Sequence, residues 1–136
     1  MVTSILILLV ILAVTRDKKQ MWDYYSTEDS FLSTTGVVTY IHHAENQGQI
    51  YLSFSDIDPV FHDQSFKIVG KNYTIVIENG LLDRLSIGDH VEFVGSPRVF
   101  GDGYVLPLIA ISLDGVQYIE REQGYQNFLE WLRSNL

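Results

Sequence analysis

Between Asp56 and Asp63 the chain reads Asp-Ile-Asp-Pro-Val-Phe-His-Asp, which places Asp56, Asp58, His62 and Asp63 in one short stretch. Three carboxylates and an imidazole are groups that a divalent cation accepts, and a bound metal can activate water for hydrolysis. The spacing matches no standard cage. An EF-hand loop requires more oxygen ligands and a glycine at its sixth position, and a helix-borne zinc pair requires two histidines on one helix face. The competing expectation is a solvated acidic loop whose aspartates cap turns. His42 and His43 are adjacent, and neighbouring strand residues point to opposite faces, so the two imidazoles cannot grip one ion in regular β geometry. His90 stands alone at the start of another strand-like run. Ser53, Ser55 and Ser65 lack a Gly-x-Ser-x-Gly elbow, and no glycine-rich phosphate loop occurs. The absence of cysteine removes disulfides, thiolate metal sites and a cysteine nucleophile. No cofactor is expected, and the leading expectation is a protein that is not an enzyme.

Residues that bind rather than react are aromatics and a few cations. Tyr51, Tyr73, Arg98 and Trp131 are the candidate ligand-binding side chains. Single-stranded nucleic acid needs stacking aromatics together with a cationic groove, for which Tyr51, Phe54 and Tyr73 would stack and Lys67, Lys71 and Arg98 supply charge. From Gly36 onward, however, six Lys or Arg face thirteen Asp or Glu, a net charge of −7 within a chain of net −8. That charge repels phosphate backbones at long range, so a nucleic-acid partner is disfavoured.

These residues need elements to position them. Gly36 to Ala44 and Gln49 to Ser55 alternate apolar and polar, the mark of half-buried strands, with Ile50, Leu52 and Phe54 on one face and Tyr51, Ser53 and Ser55 on the other. Phe66 to Val69 and Tyr73 to Glu78 flank Gly70-Lys71-Asn72, which predicts a hairpin. Leu81, Leu82 and Leu85 have the spacing of a short helix. His90 to Val94 and Tyr104 to Leu113 are further strands, joined through a turn at Phe100-Gly101-Asp102-Gly103-Tyr104. Pro107 argues for an edge or a bulge in the second of them. Val116 to Ile119 extends the sheet or crosses to the last element. From about Gly124 to the end, Tyr125, Phe128, Leu129, Leu132 and Leu136 form one helical stripe, expected to pack on the domain itself, with Trp131 off its centre as an interaction residue.

The order strand, strand, strand, short helix, strand, strand, with the Ser86-Ile87-Gly88-Asp89 entry into the fourth strand, resembles the OB-fold over about Gly36 to Leu113. The resemblance implies a mainly β, five-stranded Greek-key barrel with a short inter-strand helix, followed here by the C-terminal helix. Another small closed or sandwich-like β barrel is the alternative. OB-folds bind oligonucleotides, oligosaccharides and proteins, so the fold leaves the ligand open.

Ahead of this domain, Val2 to Val14 carries no charge and ten of its residues are Leu, Ile or Val. Insertion of such a run gains on the order of 3 to 6 kcal/mol, but as a helix it spans only about 20 Å against a hydrocarbon core of about 30 Å. Residues 1–19 are therefore read as an N-terminal hydrophobic anchor helix or signal-like segment with a basic flank, and 20–35 as a linker in which Ser26 and Asp29 favour one helical turn. Residues 36–136 are the barrel domain with its helix. Ala13-Val14-Thr15 is a poor cleavage site, which favours an uncleaved anchor over a removed signal and over a buried core helix. Trp22, Tyr24 and Tyr25 either sit in the headgroup layer or pack on the domain. Arg16, Lys18 and Lys19 after the run favour a cytoplasmic domain, whereas a single N-terminal segment of export type places it outside the cytoplasm; the second is preferred. The leading expectation is thus a membrane-anchored, non-catalytic binding or accessory module of the cell envelope, meeting the bilayer through residues 2–14 and engaging a protein, peptide or glycan. The alternatives are an enzyme using the Asp56–Asp63 loop and a nucleic-acid-binding barrel.

Overall fold

The computed structural model describes residues 18–98 and 105–136. The apolar run 2–14 and the turn at Phe100 to Tyr104 lie outside them. Residues 18–25 form helix α1. The strands are β1 (Leu32–Ala44), β2 (Gln49–Ser55), β3 (Ser65–Ile68), β4 (His90–Gly95), β5 (Val105–Leu113) and β6 (Val116–Ile119). Helices α2 (Gly70–Glu78) and α3 (Leu81–Arg84) stand between β3 and β4, and α4 (Arg121–Asn135) follows β6. Among the described residues no helix is long and apolar enough to cross a membrane.

One long strand makes the barrel. The first half of β1 pairs antiparallel with β4 and the second half with β2, and a register shift between Val38 and Tyr40 lets the strand bend from one neighbour to the other. β2 pairs with β3, and β3 closes the ring by pairing parallel with the start of β5, Phe66 opposite Leu106 and Lys67 opposite Pro107. The circuit β1-β2-β3-β5-β4 returns to β1, which is the OB-like barrel that the element order implied. β6 pairs antiparallel with the far half of β5, where β3 no longer reaches.

Alternation sorts the side chains into two cores. Inside the barrel, Phe54, Phe61, Phe66 and Phe93 share ring contacts, among them Phe54 stacked on Phe93 at 4.2 Å between centroids. The second core lies outside the barrel wall. There Val94, Ile109 and Ala110 of β4 and β5 meet Tyr25, Phe31, Tyr125, Phe128 and Leu132. The stripe predicted for the last helix is the buried face of α4, with Tyr125, Phe128 and Leu132 buried and Leu129 and Leu136 packed at its margin. A chain of amides pins this helix to α2: Gln123 donates to Asn127, Asn127 donates to Asn72 at 3.0 Å, and Asn72 donates to the Gly124 carbonyl at 2.9 Å. Each buried amide thereby keeps a partner, which an apolar contact would not provide.

Several expectations are corrected. Gly70-Lys71-Asn72 is not a hairpin tip and Tyr73 to Glu78 is not a strand, because both edges of β3 are taken by β2 and β5 and no ladder remains for a further strand. The segment coils instead as α2 from Gly70, whose φ of +60° any side chain would strain, and buries Asn72 and Val76 one turn apart. Pro107 is not at an edge: it pairs with Lys67, and its carbonyl accepts from Ser96 N–H at 3.2 Å. The irregularity it suggested lies close by, between Ala110 and Leu108. Much of 20–35 is folded rather than a linker, with α1 running to residue 25, Phe31 buried and β1 beginning at Leu32. Trp22, Tyr24 and Tyr25 pack on the second core.

Candidate functional site

An apolar groove of about 420 Å³ runs along the outer wall of the barrel where β2, β3 and β5 meet. Alternation builds its floor. Phe66 and Ile68 point into the barrel, so Lys67 between them points out, and Tyr51 does the same between Ile50 and Leu52. Pro107, opposite Lys67 in the parallel ladder, completes the floor. One wall is the last turns of α4, with Phe128, Trp131, Leu132 and Leu136, and the mouth is the first turn of α1 at Lys18 and Met21.

Lys67 is the charged group inside. Its Nζ stands 4.8 Å from the centre of the Trp131 ring, in cation–π range. Among the described residues no carboxylate lies within ion-pair distance of it. Glu130, next to Trp131 in sequence, pairs with Lys71 at 3.0 Å. Burial pushes the Lys67 ammonium below its ordinary value of 10.5, because the charged form loses water on folding. Trp131 is held in place from behind. It stacks on Phe128 at 6.0 Å, and a β-carbon at Gly70 would stand 3.0 Å from its own.

Lys67 is therefore kept at a cost to folding, and Lys67→Met is expected to raise stability by up to about 1 kcal/mol at neutral pH. Between the lowered native value and 10.5 the unfolded chain holds a proton that the folded chain has released, so parent stability rises with pH in that window. The advantage of Lys67→Met should accordingly shrink as the pH approaches 10.5, which thermal melts of both proteins across that range measure. A variant less stable than its parent at neutral pH would assign Lys67 a structural role instead.

The four binding candidates separate. Tyr51 and Trp131 share the groove. The Tyr51 hydroxyl donates to Gln49 at 2.5 Å, and its ring stacks with His42 at 6.0 Å. Tyr73 lies on α2 outside the groove, its hydroxyl 2.7 Å from His43 Nε2. Arg98 lines a different depression beside Asp23 and Asp29, its guanidinium 5.1 Å from the Tyr24 ring. Lys67, Lys71 and Arg98 therefore do not form one cationic track. The member that matters, Lys67, is visible in the sequence only as a polar break between two inward residues. A second depression of similar volume, at Ser33, Glu92, Ser112 and Gln117, carries an acid in its lining, and its Arg121 is engaged by the Phe31 carbonyl and Ser33 hydroxyl.

The acidic loop turns its polar side chains away from the barrel. Phe61 enters the barrel core against Phe66, and around it the polar groups turn outward: Asp56, Asp58, His62 and Asp63 are all exposed. Asp58 caps the 3₁₀ turn Pro59–Phe61 by accepting from Val60 N–H at 3.0 Å. Among the described residues no group of three or more His, Asp or Glu is placed to hold a metal ion. His42 is stacked between Tyr40 and Tyr51, apart from His43 on Tyr73.

The ring closure, the helices between the third and fourth barrel strands and the groove on the outer wall together make this an OB-like barrel. No family model matches the chain, and no curated protein matches it.

Proposed function

We propose that this protein is a membrane-anchored, non-catalytic binding module of the cell envelope, its domain outside the cytoplasm and its ligand held in the groove over β2, β3 and β5. The observation that carries this reading is the groove itself. It combines apolar walls with a lysine that has no carboxylate within ion-pair distance among the described residues, and it lies on the face of the second and third strands that OB-type barrels use for ligands. Support for the membrane tether is the proximity of the apolar run 2–14 to α1, whose first turn forms the mouth of the groove. The direction in which that run inserts is decided by a topology assay. Reporters active only inside or only outside the membrane are fused after Leu136 and read in intact cells and in carbonate-washed membranes. Outside activity retained on washed membranes, and lost when residues 2–14 are deleted, is the expected result. Inside activity would mean that Arg16, Lys18 and Lys19 set the orientation, and would overturn the envelope assignment.

A further inference from the structure

The groove carries an unusual charge pattern for this protein. The chain has seventeen Asp or Glu against nine Lys or Arg, yet among the described residues the side chains that line the groove include Lys18 and Lys67 and no acid. An anion approaching elsewhere meets net repulsion; here it meets a half-buried ammonium at low local dielectric, where attraction is strongest. The Lys67 ammonium is already partly stripped of water, so much of the desolvation that accompanies ion pairing has been met in the folding of the protein. Lys18 is engaged at the mouth by the Leu136 carbonyl oxygen at 3.1 Å, which leaves Lys67 as the principal anion partner.

The remaining surface of the groove selects for hydrocarbon. Val105, Pro107, Phe128 and Leu132 are apolar, and the polar groups of Tyr25, Tyr51 and Asn135 in the lining already donate to the Arg98 carbonyl, Gln49 and the Trp131 carbonyl. An occupant that satisfies both parts has an anionic head and an apolar tail. Chain geometry says where such molecules are abundant. Val14 ends the apolar run and Lys18 stands at the mouth of the groove, and the four intervening steps reach at most about 14 Å when fully extended. A bilayer that receives residues 2–14 therefore has the edge of its hydrocarbon core within about 14 Å of the mouth of the groove.

We propose that the groove binds an anionic membrane lipid, its headgroup on Lys67 and the upper part of an acyl chain along Phe128, Leu132 and Pro107. This inference rests on the membrane-anchored reading above. Selectivity comes from the lysine: one cation close to a lipid surface favours an anionic over a zwitterionic headgroup about fivefold.

The chain has two tryptophans, which makes the test direct. In the full chain, Trp22→Phe leaves Trp131 as the single reporter inside the groove, and Trp131→Phe leaves Trp22 as the reporter outside it. Each protein is reconstituted into phosphatidylcholine vesicles doped with acyl-brominated phosphatidylglycerol or, at the same fraction, acyl-brominated phosphatidylcholine. Samples are floated on a density gradient, and emission is read in the floated fraction. Trp131 is expected to be quenched preferentially by the anionic lipid, with the preference lost in Lys67→Gln, while Trp22, whose ring lies 5.3 Å from the Arg133 guanidinium, is quenched alike with and without Lys67→Gln. Equal quenching of Trp131 by the two lipids, or a preference that survives Lys67→Gln in a folded protein, would overturn the lipid site. A chain that floats with Trp131 unquenched by either lipid overturns it as well, and points to a peptide or glycan occupant. A chain that does not float overturns the membrane anchor, and this inference with it.

Discussion

Replacing Gly124 by alanine is expected to lift α4 off the barrel. A β-carbon at that position would stand 1.7 Å from the Ile109 carbonyl oxygen and 2.7 Å from Ile119 Cγ2. The Ile119 side chain could turn aside, but the carbonyl belongs to the backbone of β5, which is paired with β4 on one side and with β3 and β6 on the other. The strand cannot retreat without opening the barrel, so the helix must move. Movement of α4 breaks the Asn72 bond to the Gly124 carbonyl and separates Tyr125, Phe128 and Leu132 from Val94 and Ile109. We expect a loss of about 3 kcal/mol or more, equivalent to a fall of roughly 10 °C in Tm. Trp131 emission should shift to the red as the groove loses its wall, while the far-ultraviolet signature of the barrel persists below the melt. Gly124→Ser should behave alike, because the obstruction begins at the β-carbon.

Phe66→Ala is expected to act on the other core. Phe66 is fully buried, with ring centroids of Phe54 at 5.5 Å, Phe61 at 5.5 Å and Phe93 at 4.9 Å, and Gly95 lies against its edge with room for no β-carbon. Truncation leaves a cavity walled by rings that are held by three separate segments, β2, the Pro59–Phe61 turn and β4, and cannot all collapse inward. The cost should be about 3 to 5 kcal/mol. Barrel closure and the position of Lys67 depend on β3, so here the strand signature and the Trp131 environment should be lost in a single transition. If Phe66→Ala proves milder than Gly124→Ala in chemical denaturation, the outer helical layer contributes more to stability than the barrel interior.

The parts of the fold that were legible in the sequence are those in which a local period reports one buried face. Ile50, Leu52 and Phe54 alternate with Tyr51 and Ser53, and β2 lies as that alternation requires. The stripe of α4 follows the same logic with a longer period. Tyr73, Ile75 and Ile77 show where period alone misleads. Their alternation suits a strand, yet they belong to a helix with Ile77 exposed, because pairing partners and not local preference decide whether a ladder can form. The missing N–H of Pro107 argues for an edge or a bulge: the edge is absent, since Pro107 sits inside the ring with its carbonyl making the contact, while the irregularity lies next to it between Leu108 and Ala110.

The candidate site divides along the same line. Tyr51 and Trp131 were identifiable as aromatics displaced from apolar faces, and both line the groove; Tyr73 and Arg98, chosen on residue type, lie elsewhere. The sequence by itself determined the acidic balance, the absence of thiol chemistry, the uncharged run 2–14 and the inward and outward faces of the principal strands, since these depend on composition and on near neighbours. Only the tertiary structure decided that Lys67 meets the Trp131 ring, that α1 is folded against the barrel, and that the acidic loop spreads its side chains to water. Each of those facts follows from β3 closing on β5 and α4 lying across the wall, contacts between distant parts of the chain that no local pattern encodes.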